Sequence, residues 1–399
     1  MLGEIKKLNI NDLIGLSLLI LPFSLKLNIY SIIIIFLYWI FKFKLLNFIQ
    51  VLKSKEFWIF SSFYLFTIFA LFWTCDIQNG LSLIERRFSL FLLPLIIFST
   101  QDKINLNRIF KYFLFSTAIA FVYSFLFAYY SYYSTGDKWT PFRYFNFTEN
   151  SIGIHPGYFS MYLIISVIYT LEKSVLNNPL KNKIKWILLT IFYILSILYI
   201  GAKSSFFILI LIVICYAIRF SNKKREVFFY LGGFFILLVI TSYFFYSISY
   251  GFRTRVVFLL TGKYNNIQER LDIYKSIIIL LNRNPLSYLF GFGTGCLLPR
   301  LLEVYKEFNL VHHFLKRLDA HNIFLKSLAE QGIIGLITTL NLFQGLRLRF
   351  FSFNIKYFLF SVSFFLFGLI EHFLDTQHGV VFFTMFNVLF YRNYLDGNK

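Results

Sequence analysis

Charge is what this chain has little of. Only 15% of its 399 residues are Asp, Glu, Lys or Arg, whereas 58% are hydrophobic and Phe alone contributes 55. A soluble domain has no interior large enough to hide so much apolar surface, so a freely soluble globular protein is excluded and lipid is the expected solvent. Cysteine is almost absent. Cys75, Cys215 and Cys296 show no CxxC spacing, which leaves a zinc knuckle or a dithiol redox motif without support. Whether Cys75 and Cys296 pair stays open, because sequence carries no geometry. There is no internal repeat, no low-complexity tail and no cleavable signal-peptide pattern after Met1, so one integral membrane domain over residues 1–399 is expected. Acid is scarcer than base, 19 residues against 39, for a net charge of +20. Nucleic acid is not the expected partner, because the basic residues sit in short clusters between apolar runs and not along one face.

What is present is a series of apolar runs of helix-crossing length. They read as about twelve spans, near 11–26, 28–42, 57–74, 82–100, 109–133, 157–172, 186–201, 204–220, 227–248, 323–344, 356–372 and 379–394. All are expected to be helical, since hydrocarbon tolerates no unpaired backbone group. The fold class is therefore all-α, a polytopic helix bundle. Short loops rich in Lys and Arg, among them those around Lys42, Lys53, Lys103, Lys183, Lys224, Arg347 and Arg392, mark one side as cytoplasmic and put both termini there. The other side holds shorter, less basic loops and one long segment, 249–322, expected to form a helical cap. That segment is basic too, although long loops escape the positive-inside bias. An anionic ligand on the outer face is one explanation, and contact with anionic lipid head groups is the other.

Several polar residues gather on this outer side. In NNIQERLDIYKSIIILLNRNP (265–285), Ile273, Ile277 and Leu281 recur at helical spacing, which sets Arg270 at the border of the buried face. An arginine there suits bidentate recognition of phosphate or simply snorkels to the surface. The glycines of LFGFGTGCLLP (289–299) lack both a preceding strand and dinucleotide-binding spacing, so a structural turn folding the cap back is expected. In RLDAHNIFLKSLAEQGIIGL (317–336), Asp319 reads as a helix N-cap and Gly332 as the residue after its end, with His321 in the first turn. A neutral imidazole at a helix N-terminus can act as a general base, or can be a structural histidine. A metal held by His312, His313 and His321 has no recognisable ligand spacing. Lys203, at a short outer turn, suits a second phosphate contact. Glu85, Arg86 and Arg87 open the fourth span as either a paired network or part of a site. Glu371 and His372 read as packing and pairing residues.

These segments together form a pattern. HPGYFSMYL (155–163), GAKSSFFIL (201–209), ERLDIYKSII (269–278), NPLSYLFGFGTG (284–295), AHNIFLKSLAEQGIIGL (320–336) and EHFLDTQHGVVFFTMF (371–386) make the chain resemble the O-antigen ligase and polymerase superfamily of bacterial inner-membrane glycosyltransferases. The first half resembles it only in hydropathy and number of spans. The resemblance implies about a dozen helices, a helical periplasmic loop, and an active site facing the periplasm. It implies a polyprenyl-diphosphate-linked glycan as donor and a glycan or lipid A-core sugar as acceptor, with the polyprenyl tail lying in membrane lipid. No cofactor and no metal are implied. The essential loop histidine of the family falls on His321 and an arginine of its long loop on Arg270. A further family arginine falls on Lys203, which keeps the charge and loses the planar fork. Asn322, Arg86 and Arg87 complete the expected substrate contacts.

The segment around His321 and Asn322 favours a ligase over a polymerase joining lipid-linked repeat units. A lipid-linked glycan transporter is the reading from another class. It predicts inverted repeats and helices interrupted at midplane, and the sequence shows neither.

Overall fold

A computed structural model describes residues 9–42, 44–136, 142, 144–175, 179–220, 224–248, 253, 257, 266–348 and 354–397. Among the described residues every regular element is helical and there is no strand. Five helices are long and apolar enough to cross a membrane: Lys55–Trp73, Leu106–Thr135, Leu180–Ile200, Lys203–Phe220 and Ile323–Asn341. Two bent pairs raise the number to seven if each is a single span. The expected span 82–100 shows why this is fewer than the apolar runs. It is shared between two helices of 11 residues each, Ile77–Arg87 and Ser89–Ser99. Each is only about 16 Å long, half the thickness of a hydrocarbon core. Most of the start of the expected cap, 249–265, lies outside the described residues, with 253 and 257 the exceptions.

The chain divides into two compact units, the first made of Met1–Ile35, Lys103–Lys263 and Arg349–Ser363. Its centre is helix Pro156–Val175, buried on nearly every face. A helix apolar all round belongs in an interior, and several of its polar side chains bond within the helix itself. Ser166 and Thr170 donate to carbonyls one turn back, at 3.1 and 2.9 Å. Two buried tyrosines reach across to other helices: Tyr216 donates to the Ile168 carbonyl at 2.8 Å and Tyr193 to that of Leu114 at 2.7 Å. Helix Leu106–Thr135 starts at Asn105, whose side chain accepts from the Arg108 N–H. The adjacent Arg108–Asp12 ion pair, at 2.6 Å, ties it to helix Ile10–Ile20.

The second unit is Phe36–Asp102, Tyr264–Leu348 and Phe364–Lys399. Helix Ile323–Asn341 packs here against Lys55–Phe69. It does not stop at Gly332. Gly332 sits inside it at φ 67°, ψ −162°, and the helix kinks and runs on to Asn341. The kink releases the carbonyls of Ala329 and Glu330, which in an apolar interior need donors. The glycine turn supplies them: Phe292 N–H donates to Ala329 O and Gly293 N–H to Glu330 O, both at 2.8 Å. A Cβ on Gly332 would meet the Leu289 carbonyl at 2.1 Å, so only glycine allows this approach. A Cys75–Cys296 disulfide closes the turn from its other side. Thr74 adds a hydrogen bond to the Thr294 carbonyl at 2.7 Å. The helices between Asn266 and Leu315 share a core in which Ile273, Ile277 and Leu281 meet Leu297, Leu301 and Val304, the helical face expected from their spacing.

Candidate active site

His321 does not lie in the first turn of the helix that follows it. Asn322 is the N-cap, its side-chain oxygen accepting from Phe324 N–H at 2.9 Å and Leu325 N–H at 3.0 Å. His321 precedes it with a backbone φ of 45°. A left-handed non-glycine residue costs roughly 1–3 kcal/mol and persists only where its surroundings impose it. Asp319 is not the cap either. It accepts from Ala320 N–H at 2.7 Å and from the Lys326 ammonium at 2.5 Å. Asn outcompeted Asp because its carbonyl caps the N–H groups while its amide also donates to the Leu369 carbonyl, at 3.1 Å. Asn322, expected on the substrate, thus has both polar ends committed within the protein.

The Leu369 and Ile370 carbonyls lie just beyond helix Ile355–Gly368 and gather further donors. Tyr274 donates to the first at 3.0 Å and Arg270 to the second at 2.7 Å. Arg270 therefore fastens the loop carrying Glu371 to helix Asn266–Arg283. Its other terminal nitrogen stands 3.5 Å from one oxygen of Glu371, and His321 Nδ1 stands 3.5 Å from the other. The side chains of Arg270 and His321 are 31% and 30% exposed, so both remain within reach of an incoming molecule. Burial alone would raise the Glu371 carboxyl, but the imidazoles of His321 and His372 and the Arg270 guanidinium hold it below its usual value.

Beneath this opening lies a buried ion network. Lys326 reaches Asp319 at 2.5 Å, Asp375 at 2.7 Å and Glu330 at 4.0 Å. Arg87 closes the ring with Asp375 at 2.5 Å and Glu330 at 3.8 Å. Thr67 joins it, accepting from Arg87 at 3.2 Å and from Gln331 at 2.9 Å. Against the cost of burial, Arg87 and Lys326 hold the Asp375 carboxyl well below the carboxylate range. Lys326 and His372 also lower the Asp319 carboxyl. Arg87, read from the sequence as a possible substrate contact, is 2% exposed and faces Asp375, Glu330, Thr67 and the Phe63 ring. Of the two readings for this basic pair, Arg87 takes the paired network. Arg86 is exposed and makes one long contact to the Asp375 carbonyl, at 3.4 Å.

The unit thus brings together Arg270, His321 and Asn322, with Arg87 below them. Lys203 belongs to the first unit, where it opens helix Lys203–Phe220 with its side chain exposed. Sequence reasoning read Glu371 as a pairing residue, and it does pair with Arg270 and His321; it missed Lys326 and Asp375. The available signal was two carboxylates and a histidine within EHFLD, too polar a cluster for the edge of an apolar span without a purpose. His312 and His313 turn to Glu269, to its carboxylate and its carbonyl, each at 3.2 Å. Among the described residues, the groups whose ligand atoms come close enough to share a cation are His321, Glu371, His372 and, separately, Asp319, His372, Asp375.

A comparison with curated proteins returns no match. Residues 188–340 match the family model described as O-Antigen ligase, a stretch that takes in Lys203, Arg270, His321 and Lys326 and stops before Glu371. That match covers less than half of the chain and falls within the part whose sequence resembles the O-antigen ligase and polymerase superfamily.

Proposed function

We propose that the protein is a glycosyltransferase of the periplasmic face of a bacterial inner membrane, moving a glycan from a polyprenyl-diphosphate donor to a sugar hydroxyl as an O-antigen ligase does. The observation that carries this reading is the shared carboxylate. Glu371 stands between the His321 imidazole and the Arg270 guanidinium, and both are partly exposed. With Nδ1–H turned toward Glu371, His321 keeps a lone pair on Nε2. That nitrogen takes the proton of the acceptor hydroxyl as its oxygen bonds to the anomeric carbon. The bond from that carbon to the diphosphate oxygen breaks, and its electron pair leaves with the diphosphate. Arg270 stabilises the charge growing there, with Arg86 as a further cation for the donor. Glu371 steadies the imidazolium. No metal takes part in the transfer.

The disulfide supports the outward orientation. Such bonds persist in oxidising compartments, and the turn holding Cys296 grips helix Ile323–Asn341 at Ala329 and Glu330, about 10 Å along its axis from the His321 end. The distribution of Lys and Arg supports both termini inside.

The test is transfer from a lipid-linked polymer in proteoliposomes. His321→Ala should lower the rate by roughly 10²–10⁴-fold with insertion unchanged. A rate within threefold of wild type removes His321 from the mechanism. Deletion of the gene separates the two acceptors. A ligase leaves lipid-linked polymer accumulated and unattached, whereas a polymerase leaves single repeats attached.

A further inference from the structure

Three features of the His321 opening point beyond glycan transfer. The first is a distance. His321 Nδ1 and Glu371 Oε2 are 3.5 Å apart. That is long for a charge-assisted hydrogen bond, and it is close to the edge of a tetrahedron around zinc, about 3.3 Å for metal–ligand bonds near 2.0–2.1 Å. The second is unused capacity. The Nδ1 atoms of His321 and His372 are both buried without a hydrogen-bond partner. Their rings lie 5.2 Å apart, and the ligand atoms of His321, Glu371 and His372 all fall within 4.8 Å of one another. Two imidazoles and a carboxylate are a donor set that zinc favours, with a fourth position left open. The third is charge. Arg270 faces Oε1 of Glu371, and the other carboxylate oxygen, Oε2, is the one turned to His321, so the group itself supplies an anionic ligand atom.

Two neighbouring arrangements do not compete. Arg270 faces Oε1 of Glu371 and leaves Oε2 open. The second candidate group is already filled, since the Lys326 ammonium sits between Asp319 and Asp375.

We propose that His321, Glu371 and His372 form a binding site for a divalent transition cation of the zinc class, and that a cation bound there blocks transfer by changing the tautomer of His321. The blocking part rests on His321 being the base. A neutral imidazole has one N–H. When Nδ1 gives its lone pair to the metal, the proton resides on Nε2, and no lone pair remains to take the proton of an acceptor hydroxyl. The metal is an inhibitor and not a participant in the transfer.

Zinc itself is the probe, on the purified full chain in detergent after a chelator wash. His312→Ala serves as the background, because the exposed His312–Glu269 pair offers two ligands of its own. Calorimetric titration is expected to show one saturable site. His372→Gln should weaken it at least about tenfold, since even outer-shell partners of a metal cost 10–100-fold. Relative to its own zinc-free rate, His372→Gln should transfer glycan undiminished when zinc is added, whereas the background protein stops and recovers with chelator. Unchanged size-exclusion profiles guard against misfolding. Absence of one-site binding, or equal affinity in His372→Gln, overturns the site. Zinc that binds through His372 while transfer continues overturns the blocking and the assignment of His321 as base together, and the metal site stands.

Discussion

Lys326→Met removes one ammonium from the interior and changes little in volume. The lysine side chain is 8% exposed and faces Asp319, Asp375 and Glu330. Without it the ring keeps Arg87, paired with Asp375 and Glu330. Breaking a buried ion pair from one side costs about 3–5 kcal/mol, because the remaining charge stays buried and uncompensated. Against a total stability of about 5–15 kcal/mol this is a large share. At about 2 °C per kcal/mol for a chain of this size, the melting midpoint in detergent should fall by roughly 5–10 °C. Function should fail more steeply than stability. Asp319 stands two residues before His321 and Asp375 four after Glu371, so one lysine ties down both loops of the opening. Lys42→Met is the comparison. Lys42 is 43% exposed in its pair with Asp102, and such surface pairs contribute about 0–1 kcal/mol. Adding Asp319→Asn to Lys326→Met should recover part of the loss by removing one stranded carboxylate. A Lys326→Met protein that melts within about 1 °C of wild type and still transfers would refute the reasoning.

Gly332→Ala should cost well over 1 kcal/mol, because the methyl would press on the Leu289 carbonyl at a positive φ. Gly232→Ala, with open space at its Cβ, should not, and folded yield after solubilisation compares them. Thiol labelling of denatured, unreduced protein should find Cys215 alone, and labelling of all three cysteines would contradict the Cys75–Cys296 bond. Acid should destabilise the protein through Asp319 and Asp375. Their folded-state carboxyls lie below the unfolded value, so their contribution is complete above that value and is lost as pH falls below about 4. A melting midpoint in chelator that stays level from pH 5 to roughly pH 2 would contradict this.

Composition and periodicity carried the reading a long way. An apolar, poorly charged chain has to be helical in lipid, and Ile273, Ile277 and Leu281 announce the inner face of their helix by spacing alone. The glycines of 289–299 and Gly332 were legible as special backbone positions but not as partners. Gly332 read as a helix end because a positive-φ glycine commonly is one. Here the carbonyls it frees are taken by Phe292 and Gly293, each 37 residues before its partner in the chain.

By itself, then, the sequence determined the solvent, the helical class and the candidates His321 and Arg270, since hydropathy, period and motif are properties of neighbouring residues. Tertiary structure decided which charges are spent and which remain available. It buried Arg87 in a ring with Asp375 and Lys326, turned Asn322 into a cap, and set Glu371 between the two exposed groups. The reason is physical: a buried charge is tolerated only beside its counterion, and the counterions here come from segments far apart in sequence, brought together only by the fold.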